Sequence, residues 1–258
     1  MRIIGTPCRF TMKNLCARGI PGSPFKRIRM SCDPVSTEIL NPIPVQVDLL
    51  SIQKRAHFPE GEEERLLSLM AAAHSVMAAK AVYKVSYIES RAADSVVIDG
   101  VLFRSKVLRK HLDKVERVFP YVVTAGTGVE ELEKASGDVL EKYYLDLIGN
   151  AAVVKAREHL KNRLARRYAL GGLSYLGPGQ LKDWPLEEQR LLFSLLGDVE
   201  SAVGVTLSES LLMIPRKSLS GIYFPTEIPF MACQLCPKES CPSRKARYDE
   251  QLAKEFDA

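Results

Sequence analysis

The spacing of apolar residues predicts several helices. Where leucine, methionine and alanine recur every three or four positions, the chain has the period of a helix that buries one face. Such helices are expected over residues 62–80, 105–115, 138–168 and 183–196. The last of them begins with Asp183 and Pro185, which are typical of a helix start because aspartate caps free N–H groups and proline has none to lose.

Strand patterns fall between these helices. Alternating or continuous apolar runs predict strands over residues 82–88, 95–98, 101–103 and 118–124. Asp99 and Gly100 separate two of the runs and favour a type I′ hairpin turn. Pro120 cannot donate a hydrogen bond to a neighbouring strand, so its strand is expected at a sheet edge or with a break. Helices and hairpins interleave without a strand–helix–strand rhythm, so we expect an α+β fold, an antiparallel twisted sheet with long helices.

Positive charge is concentrated at the start of the chain. The formal net charge is +5, but the first thirty residues hold seven basic residues and no acidic one. Without those seven, 29 basic residues stand against 31 acidic ones, so the body has no excess of positive charge with which to bind nucleic acid. No apolar run approaches the ~20 residues of a membrane span. We therefore expect neither a nucleic-acid nor a membrane partner.

Composition predicts three parts. Residues 1–40 are expected to form an irregular basic leader, residues 41–228 a globular domain, and residues 229–258 a cysteine-rich tail. The leader matches two explanations. One is a start codon assigned too early, with translation beginning at Met12 or Met30; the other is an organelle transit peptide, which is arginine-rich and poor in acids. The leader lacks the continuous apolar core of a secretory signal, and we expect a cytoplasmic protein.

Six cysteines split into three near the start and three near the end: Cys8, Cys16, Cys32, Cys233, Cys236 and Cys241. Disulfide frameworks belong mainly to small secreted chains, so reduced thiols are expected. The spacing of Cys233, Cys236 and Cys241 indicates a metal site, because soft thiolates bind zinc or an iron–sulfur cluster. This run lacks a fourth ligand, which another cysteine, a histidine or an exogenous group would have to supply.

The most specific motif spans residues 205–224, which read VTLSESLLMIPRKSLSGIYF. This segment resembles the signature of the activation (reactivation) domain of vitamin B12-dependent methionine synthase, in which Leu-Thr-Glu-Ser leads to Met-x-Pro and then to Ser-Val-Ser-Gly-x-Tyr-Phe. Met213 and Pro215 match the middle element, and residues 218–224 match the last with one conservative change. The resemblance implies an activation-domain-like fold that reaches back at least to the long helix.

The resemblance also implies cofactor-binding residues. In the family the Tyr-Phe pair lies against S-adenosylmethionine, and the likeness assigns ligand contacts here to Tyr223, Phe224, Gly221, Ser220, Gly179 and Glu209. Aromatic faces attract a sulfonium cation without reacting with it, and glycine lets the backbone approach a ligand. A second family element, Arg-x-x-Pro-Gly-Tyr, matches residues 174–180 only at Pro178 and Gly179. Its arginine is absent, and Gln180 stands in the place of its tyrosine.

Two main functions follow from these motifs. In the first, the chain binds S-adenosylmethionine and supports the reductive methylation, and so the reactivation, of a corrinoid within a methionine synthase (methyltransferase) system. The cobalamin would arrive on a corrinoid-binding protein or a methionine synthase subunit, because this chain lacks an Asp-x-His-x-x-Gly motif, and a flavodoxin or ferredoxin would donate electrons. In the second, the cysteines hold a metal or cluster that passes electrons to a corrinoid protein, and S-adenosylmethionine is not bound.

A metal-binding interaction module without redox chemistry is a third option. The chain has no Gly-x-Ser-x-Gly elbow and no His-Glu-x-x-His zinc pair. No side chain is therefore assigned a catalytic role, and the sequence leaves open whether the chain is itself an enzyme.

Overall fold

A computed structural model of the chain describes residues 37–53, 61–241 and 244–256. Its helices are α1 (Leu49–Gln53), α2 (Glu63–Val76), α3 (Lys106–His111), α4 (Gly128–Ala135), α5 (Val139–Arg167), α6 (Gln189–Leu196), α7 (Val199–Val203) and α8 (Glu250–Phe256). Its strands are β1 (Thr37–Leu40), β2 (Lys80–Lys84), β3 (Ser86–Arg91), β4 (Ser95–Ile98), β5 (Val101–Arg104), β6 (Arg117–Thr124), β7 (Leu173–Leu176), β8 (Thr206–Leu207), β9 (Met213–Ile214) and β10 (Ser218–Pro225). Short 3₁₀ helices span Leu186–Glu188 and Ala232–Leu235.

Strand β6 lies at the centre of an eight-stranded antiparallel sheet. β2 and then β3 run along one side of β6, and β10 runs along the other. β1 extends the sheet beyond β2, β4 and β5 extend it beyond β3, and β7 lies beyond β10. β8 and β9 form a separate two-stranded sheet. The prediction of an α+β fold with an antiparallel sheet and long helices is confirmed.

Pro120 sits inside this sheet without breaking its pairing with β10. β2 pairs with β6 as far as Tyr121, and β3 resumes the pairing at Val118. Pro120 therefore falls in the gap between the two pairings, where no N–H group is needed on that side. Of the two predictions for this strand, the break is confirmed and the edge position is wrong.

Side chains alternate across β6 and fill two apolar cores, one on each face of the sheet. Phe119, Tyr121 and Val123 pack with residues of α2, α4 and α5. Val118 and Val122 point to the opposite face, where α3, α6, α7 and α8 supply the packing partners. Helices therefore cover both faces, and any ligand site against the central strands has to open at an edge.

Helix α5 covers most of one face. The Asp138 side chain caps it by accepting hydrogen bonds from the N–H groups of Leu140 at 2.7 Å and Glu141 at 3.1 Å. Such a cap contributes about 1 kcal/mol. Its buried residues recur every three or four positions, so that one long stripe contacts the sheet. The predicted helix over residues 138–168 is confirmed to within one residue at each end.

The hairpin prediction is also confirmed. Asp99 and Gly100 join β4 to β5 with φ values of +44° and +79°, the two left-handed residues that a type I′ turn requires. The expectation of an irregular segment up to residue 40 is wrong for residues 37–40, which form β1 against β2. The rest of that leader, with Cys8, Cys16 and Cys32, lies outside the described residues.

Asp183 plays a different part from the one predicted. Its carboxylate accepts hydrogen bonds from the Ser105 hydroxyl and from the N–H groups of Lys106 at 3.1 Å and Val107 at 2.9 Å. It therefore caps α3, a helix distant in the sequence. The expected helix start at Asp183 is wrong, because Leu186–Glu188 forms a 3₁₀ turn and α6 begins only at Gln189.

The C-terminal segment packs onto the α3 side of the sheet. Phe230, Leu235 and Ala253 are buried in the same core as Phe224. None of the helices in the described ranges is both long and apolar enough to cross a membrane.

Candidate functional site

The signature segment at residues 205–224 folds into β8, a turn, β9 and β10. β10 lies between β6 and β7 and pairs with both. Its entry is fixed by Lys217, whose N–H group donates to the Glu130 carboxylate at 3.0 Å and whose ammonium group contacts the Asp146 carboxylate. The motif therefore supplies an inner strand of the sheet and its anchoring turn.

Tyr223 and Phe224 point to opposite faces of the sheet, because neighbours on a strand alternate. Tyr223 belongs to the core under α5, and Phe224 belongs to the core that contains α3. Both side chains are buried, with 1% of their surface exposed. The two rings therefore do not line one surface, although the sequence assigns both to the same ligand.

Tyr223 is part of a group of four side chains, called here the tyrosine–arginine cluster: Tyr121, Arg157, Tyr175 and Tyr223. Tyr223 stacks on Tyr121 with ring centres 4.6 Å apart and meets Tyr175 edge-on at 5.8 Å. The guanidinium carbon of Arg157 lies 4.1 Å from the centre of the Tyr175 ring. The Tyr223 hydroxyl donates to the Arg157 carbonyl at 3.1 Å and so joins β10 to α5.

The tyrosine–arginine cluster contains a positive charge and no negative charge. Arginine stays protonated in proteins, so Arg157 carries a positive charge although only 7% of its surface is exposed. Burial raises the pKa of Tyr121 above its usual value, although the Arg157 guanidinium lowers it in part, and burial also raises the pKa of Tyr223. Both hydroxyls are therefore neutral at physiological pH. The Tyr121 hydroxyl oxygen is buried and makes no hydrogen bond to any described residue.

The loop that follows β7 packs closely against β10. A Cβ atom at Gly221 would lie 2.5 Å from the Leu176 carbonyl oxygen, and one at Gly177 would lie 2.8 Å from the Ser220 carbonyl oxygen. Both positions therefore require glycine. Gly179, exposed in the same loop, has a φ of +79°. The structure thus brings Ser220 and Gly221 against Leu176 and Gly177, whereas the Gly179 N–H group donates to the Trp184 carbonyl at 2.8 Å and its Cα side faces Leu186. A ligand contact for Gly179 stays a prediction.

Glu209 lies elsewhere. It is exposed in the turn between β8 and β9, and its carbonyl accepts a hydrogen bond from the Arg190 guanidinium at 3.2 Å. The nearby Leu211 carbonyl accepts from the Gln189 amide at 3.3 Å. Both donors belong to α6, which packs on the sheet face opposite the cluster. A ligand contact for Glu209 stays a prediction.

The three C-terminal cysteines are partly buried free thiols in the segment between β10 and α8. The Arg244 guanidinium donates to the carbonyls of Cys233 and Cys236, each at 3.4 Å, and of Ala246 at 3.3 Å. One arginine thus holds the backbone of this segment in a compact turn. Over the described ranges, no three cysteine, histidine or acidic side chains are grouped so that they could share a metal ion. Metal binding by Cys233, Cys236 and Cys241 stays a prediction.

The sequence reasoning missed Arg157 and Tyr121. A signal for Arg157 was available, since it follows Val153 by four positions and precedes Leu160 by three, and both are buried. Arg157 therefore lies on the apolar side of α5, where an arginine is rare. Tyr121 lies in β6, where every residue from Val118 to Thr124 is buried, so burial along this strand does not distinguish it. Their contact with each other joins positions far apart in the sequence and has no local signal.

Comparison with known proteins supports the fold. A scan of the chain against protein-family models finds no match. Among solved structures, the chain is similar to the crystal structure of the MetH reactivation domain bound to AdoHcy, with a TM-score of 0.50. The sequences are 15% identical, and the likeness covers 77% of this chain and 81% of that chain. This chain therefore has the α+β fold of a methionine synthase reactivation domain.

Proposed function

We propose that this chain binds S-adenosylmethionine and supports the reductive methylation of a corrinoid held by another protein. The observation that carries the proposal is the position of the signature strand. β10 brings Gly221 and Tyr223 against Tyr175 and the glycine-rich loop after β7, where the family resemblance also assigns ligand contacts. The solved neighbour with this fold is bound to AdoHcy, which differs from S-adenosylmethionine by the methyl group.

The proposed methyl transfer needs no general acid or base from the protein. The partner's corrinoid, after reduction by one electron from a flavodoxin or ferredoxin, would supply the nucleophile for the methyl group, and the sulfonium compound would leave as a neutral thioether. This chain has to bind the sulfonium compound, orient it and exclude water, which is catalysis by positioning. No proton has to be moved, and the buried hydroxyls of Tyr121 and Tyr223, whose pKa values are raised, suit such a site.

Tyr175 is the ring through which we expect the sulfonium to be recognised. It is half-buried, whereas Tyr121 and Tyr223 are fully buried. β7 pairs with β10 and with no other described strand, so Tyr175 lies on an edge strand of the sheet. An aromatic face contributes ~0.5–2 kcal/mol to the binding of a cation.

The test is calorimetric titration of the anaerobically purified full chain with S-adenosylmethionine and with AdoHcy. Saturable binding of both compounds is expected, and Tyr175→Ala should weaken the binding of S-adenosylmethionine by about tenfold, since ~1.4 kcal/mol of cation–ring attraction corresponds to that factor. Tyr87→Ala, which removes an exposed tyrosine of β3, is the matched control and should bind as the unaltered chain does. A folded protein that binds neither compound would contradict the proposal.

A second function is favoured by the Arg244 contacts, which hold the thiol-bearing segment in one compact turn. We propose as the alternative that Cys233, Cys236 and Cys241 bind zinc or an iron–sulfur cluster, and that a cluster would deliver electrons to a corrinoid protein. Metal analysis and an absorption spectrum of the anaerobic protein test this. A metal-free preparation that takes up neither iron nor zinc would rule it out.

A further inference from the structure

Arg157 is a buried cation without a counter-ion among the described residues. Twelve ion pairs join described side chains, and Arg157 takes part in none of them. Lys217 is buried to a similar degree, and its ammonium group contacts the carboxylate of Asp146, which lies on α5 as Arg157 does. A buried charge that lacks a partner costs several kcal/mol. Arg157 is therefore the exception in a structure that pairs its other buried cation.

The groups around Arg157 do not supply negative charge. Tyr175 offers the face of its ring at 4.1 Å, and the raised pKa values of Tyr121 and Tyr223 keep their hydroxyls neutral. A guanidinium has five N–H donors in a fixed fork, which matches the two oxygens of a carboxylate. Ring faces satisfy the charge only in part, and none of the carboxylates among the described residues forms an ion pair with this guanidinium.

The guanidinium lies next to an edge strand of the sheet. Tyr175, which covers it, is half-buried on β7, and the far side of β7 pairs with no described strand. On β10, Gly221 is directly paired with Tyr121 and has no side chain, and a Cβ atom there would lie 3.2 Å from the Tyr121 hydroxyl oxygen. The buried hydroxyl of Tyr121 is thus a second polar group, without a hydrogen-bond partner, beside the guanidinium.

We propose that Arg157 and the Tyr121 hydroxyl bind a carboxylate of the ligand, with Tyr175 as a cover that moves aside. This inference deepens the proposed function, on which it rests: the carboxylate is the one on the methionine part of S-adenosylmethionine. The loop over residues 174–180 has no arginine of its own, and α5 supplies the cation from a different element. The same cluster then contributes an aromatic face for the sulfonium and a guanidinium for the carboxylate.

The test compares S-adenosylmethionine with its decarboxylated analogue, which keeps the sulfonium and loses only the carboxylate. Calorimetry on the full chain should show a preference for S-adenosylmethionine of about 10- to 100-fold, the range of a charge-assisted hydrogen-bonded pair. Arg157→Met should bind both compounds equally, and Arg163→Met, on the exposed face of α5, should keep the preference. If Arg157→Met does not fold, Arg157→Lys, which keeps the charge without the fork, should lose most of the preference.

A second measurement does not depend on the proposed function. Thermal unfolding is followed in acetate and in chloride at equal ionic strength, and acetate should raise the midpoint of the unaltered chain but not that of Arg157→Met. Equal binding of both sulfonium compounds by the unaltered chain would overturn the role of Arg157 and leave S-adenosylmethionine binding intact. If neither compound binds, the proposed function fails. An acetate effect that depends on Arg157 would then still support a carboxylate site at this residue. If acetate has no such effect, the carboxylate site is overturned as well.

Discussion

The imidazole of His111 lies against the ring of Phe230, with ring centres 3.9 Å apart. Phe256 stacks on the same imidazole at 4.7 Å. Phe230 precedes the three C-terminal cysteines and Phe256 follows them, so one histidine at the end of α3 holds both ends of the thiol-bearing segment against the body of the protein.

Stability is expected to fall in acid, because His111 has to stay neutral in this aromatic site. Burial lowers the pKa of His111 to about 4, from 6.5 for an unperturbed histidine. Above pH 6.5 the residue is neutral in both states and its contribution is fully present. As the pH falls from 6.5 to 4, the unfolded chain takes up the proton first, and up to about 3 kcal/mol of unfolding free energy is lost. Urea unfolding at pH 7.5 and pH 4.5 measures the loss.

His111→Phe is the control for this prediction. The imidazole Nε2 has no hydrogen-bond partner among the described residues, so an apolar ring at this position breaks no hydrogen bond of that nitrogen. Between pH 7.5 and pH 4.5, the unfolding free energy of the variant should fall by about 2 to 3 kcal/mol less than that of the unaltered chain. An equal loss in both proteins would show that His111 is not the titrating group.

The contact between Lys217 and Asp146 predicts that substitutions at the two residues have non-additive effects on the unfolding free energy. The Lys217 side chain is 5% exposed and that of Asp146 is 38% exposed, and the Asn150 amide oxygen accepts from the same ammonium at 3.2 Å. Asp146→Asn should lower the unfolding free energy by about 1 to 3 kcal/mol, below the range for a fully buried pair because water screens the aspartate. Lys217→Met combined with Asp146→Asn should cost less than the sum of the two single changes, as measured by urea unfolding.

An exposed ion pair serves as the control here. Arg109 and Asp113 lie four residues apart on the surface, at 2.8 Å. Asp113→Asn should change the unfolding free energy by no more than about 0.5 kcal/mol. Additive effects of the changes at Lys217 and Asp146 would contradict the predicted coupling.

Gly221→Ala tests the close approach of β10 and β7. The added methyl group would lie 2.5 Å from the Leu176 carbonyl oxygen, so one of the two strands has to move. We expect a loss of about 2 kcal/mol or more in unfolding free energy, in the range of overpacked core sites. Gly137→Ala is the matched control, since a methyl group there meets no atom within 4 Å, and the two variants should unfold at clearly different urea concentrations.

Arg244→Gln should weaken the retention of any metal held by the thiols. The guanidinium fixes the carbonyls of Cys233 and Cys236, and without it the ligands have to be ordered by the metal itself. A severalfold faster loss of zinc or iron to a chelator is expected, and Cys236→Ser should lower the metal content of the purified protein. Arg247→Gln, an exposed neighbour, is the control; unchanged metal content in Cys236→Ser would refute the thiol site.

Features set by local sequence were predictable. The period of apolar residues predicted α5 nearly to its ends, and Asp99 with Gly100 predicted the hairpin between β4 and β5. Both features depend on residues that are close together in the chain. The signature at residues 205–224 likewise pointed to the fold that the solved neighbour shares.

Features set by distant contacts were not predictable. Asp183 is a good cap for the residues that follow it, yet its carboxylate binds the N–H groups of α3, which only the packed structure brings near. The family resemblance assigns Tyr223 and Phe224 to one ligand, and the motif alone does not show that alternation along β10 places their rings on opposite faces of the sheet. The contact of Arg157 with Tyr175 likewise joins a helix to a strand that the chain reaches only after a turn.

The alternation along β10 has a mechanical consequence. Tyr223 packs on Tyr121 beneath α5, and the next residue, Phe224, packs on His111, which touches the phenylalanines that hold the cysteine segment. Consecutive side chains of one strand share a single backbone, so a displacement of β10 that reorients one ring also reorients the other. β10 thus connects the tyrosine–arginine cluster on one face of the sheet to the residues that hold the three thiols on the other face.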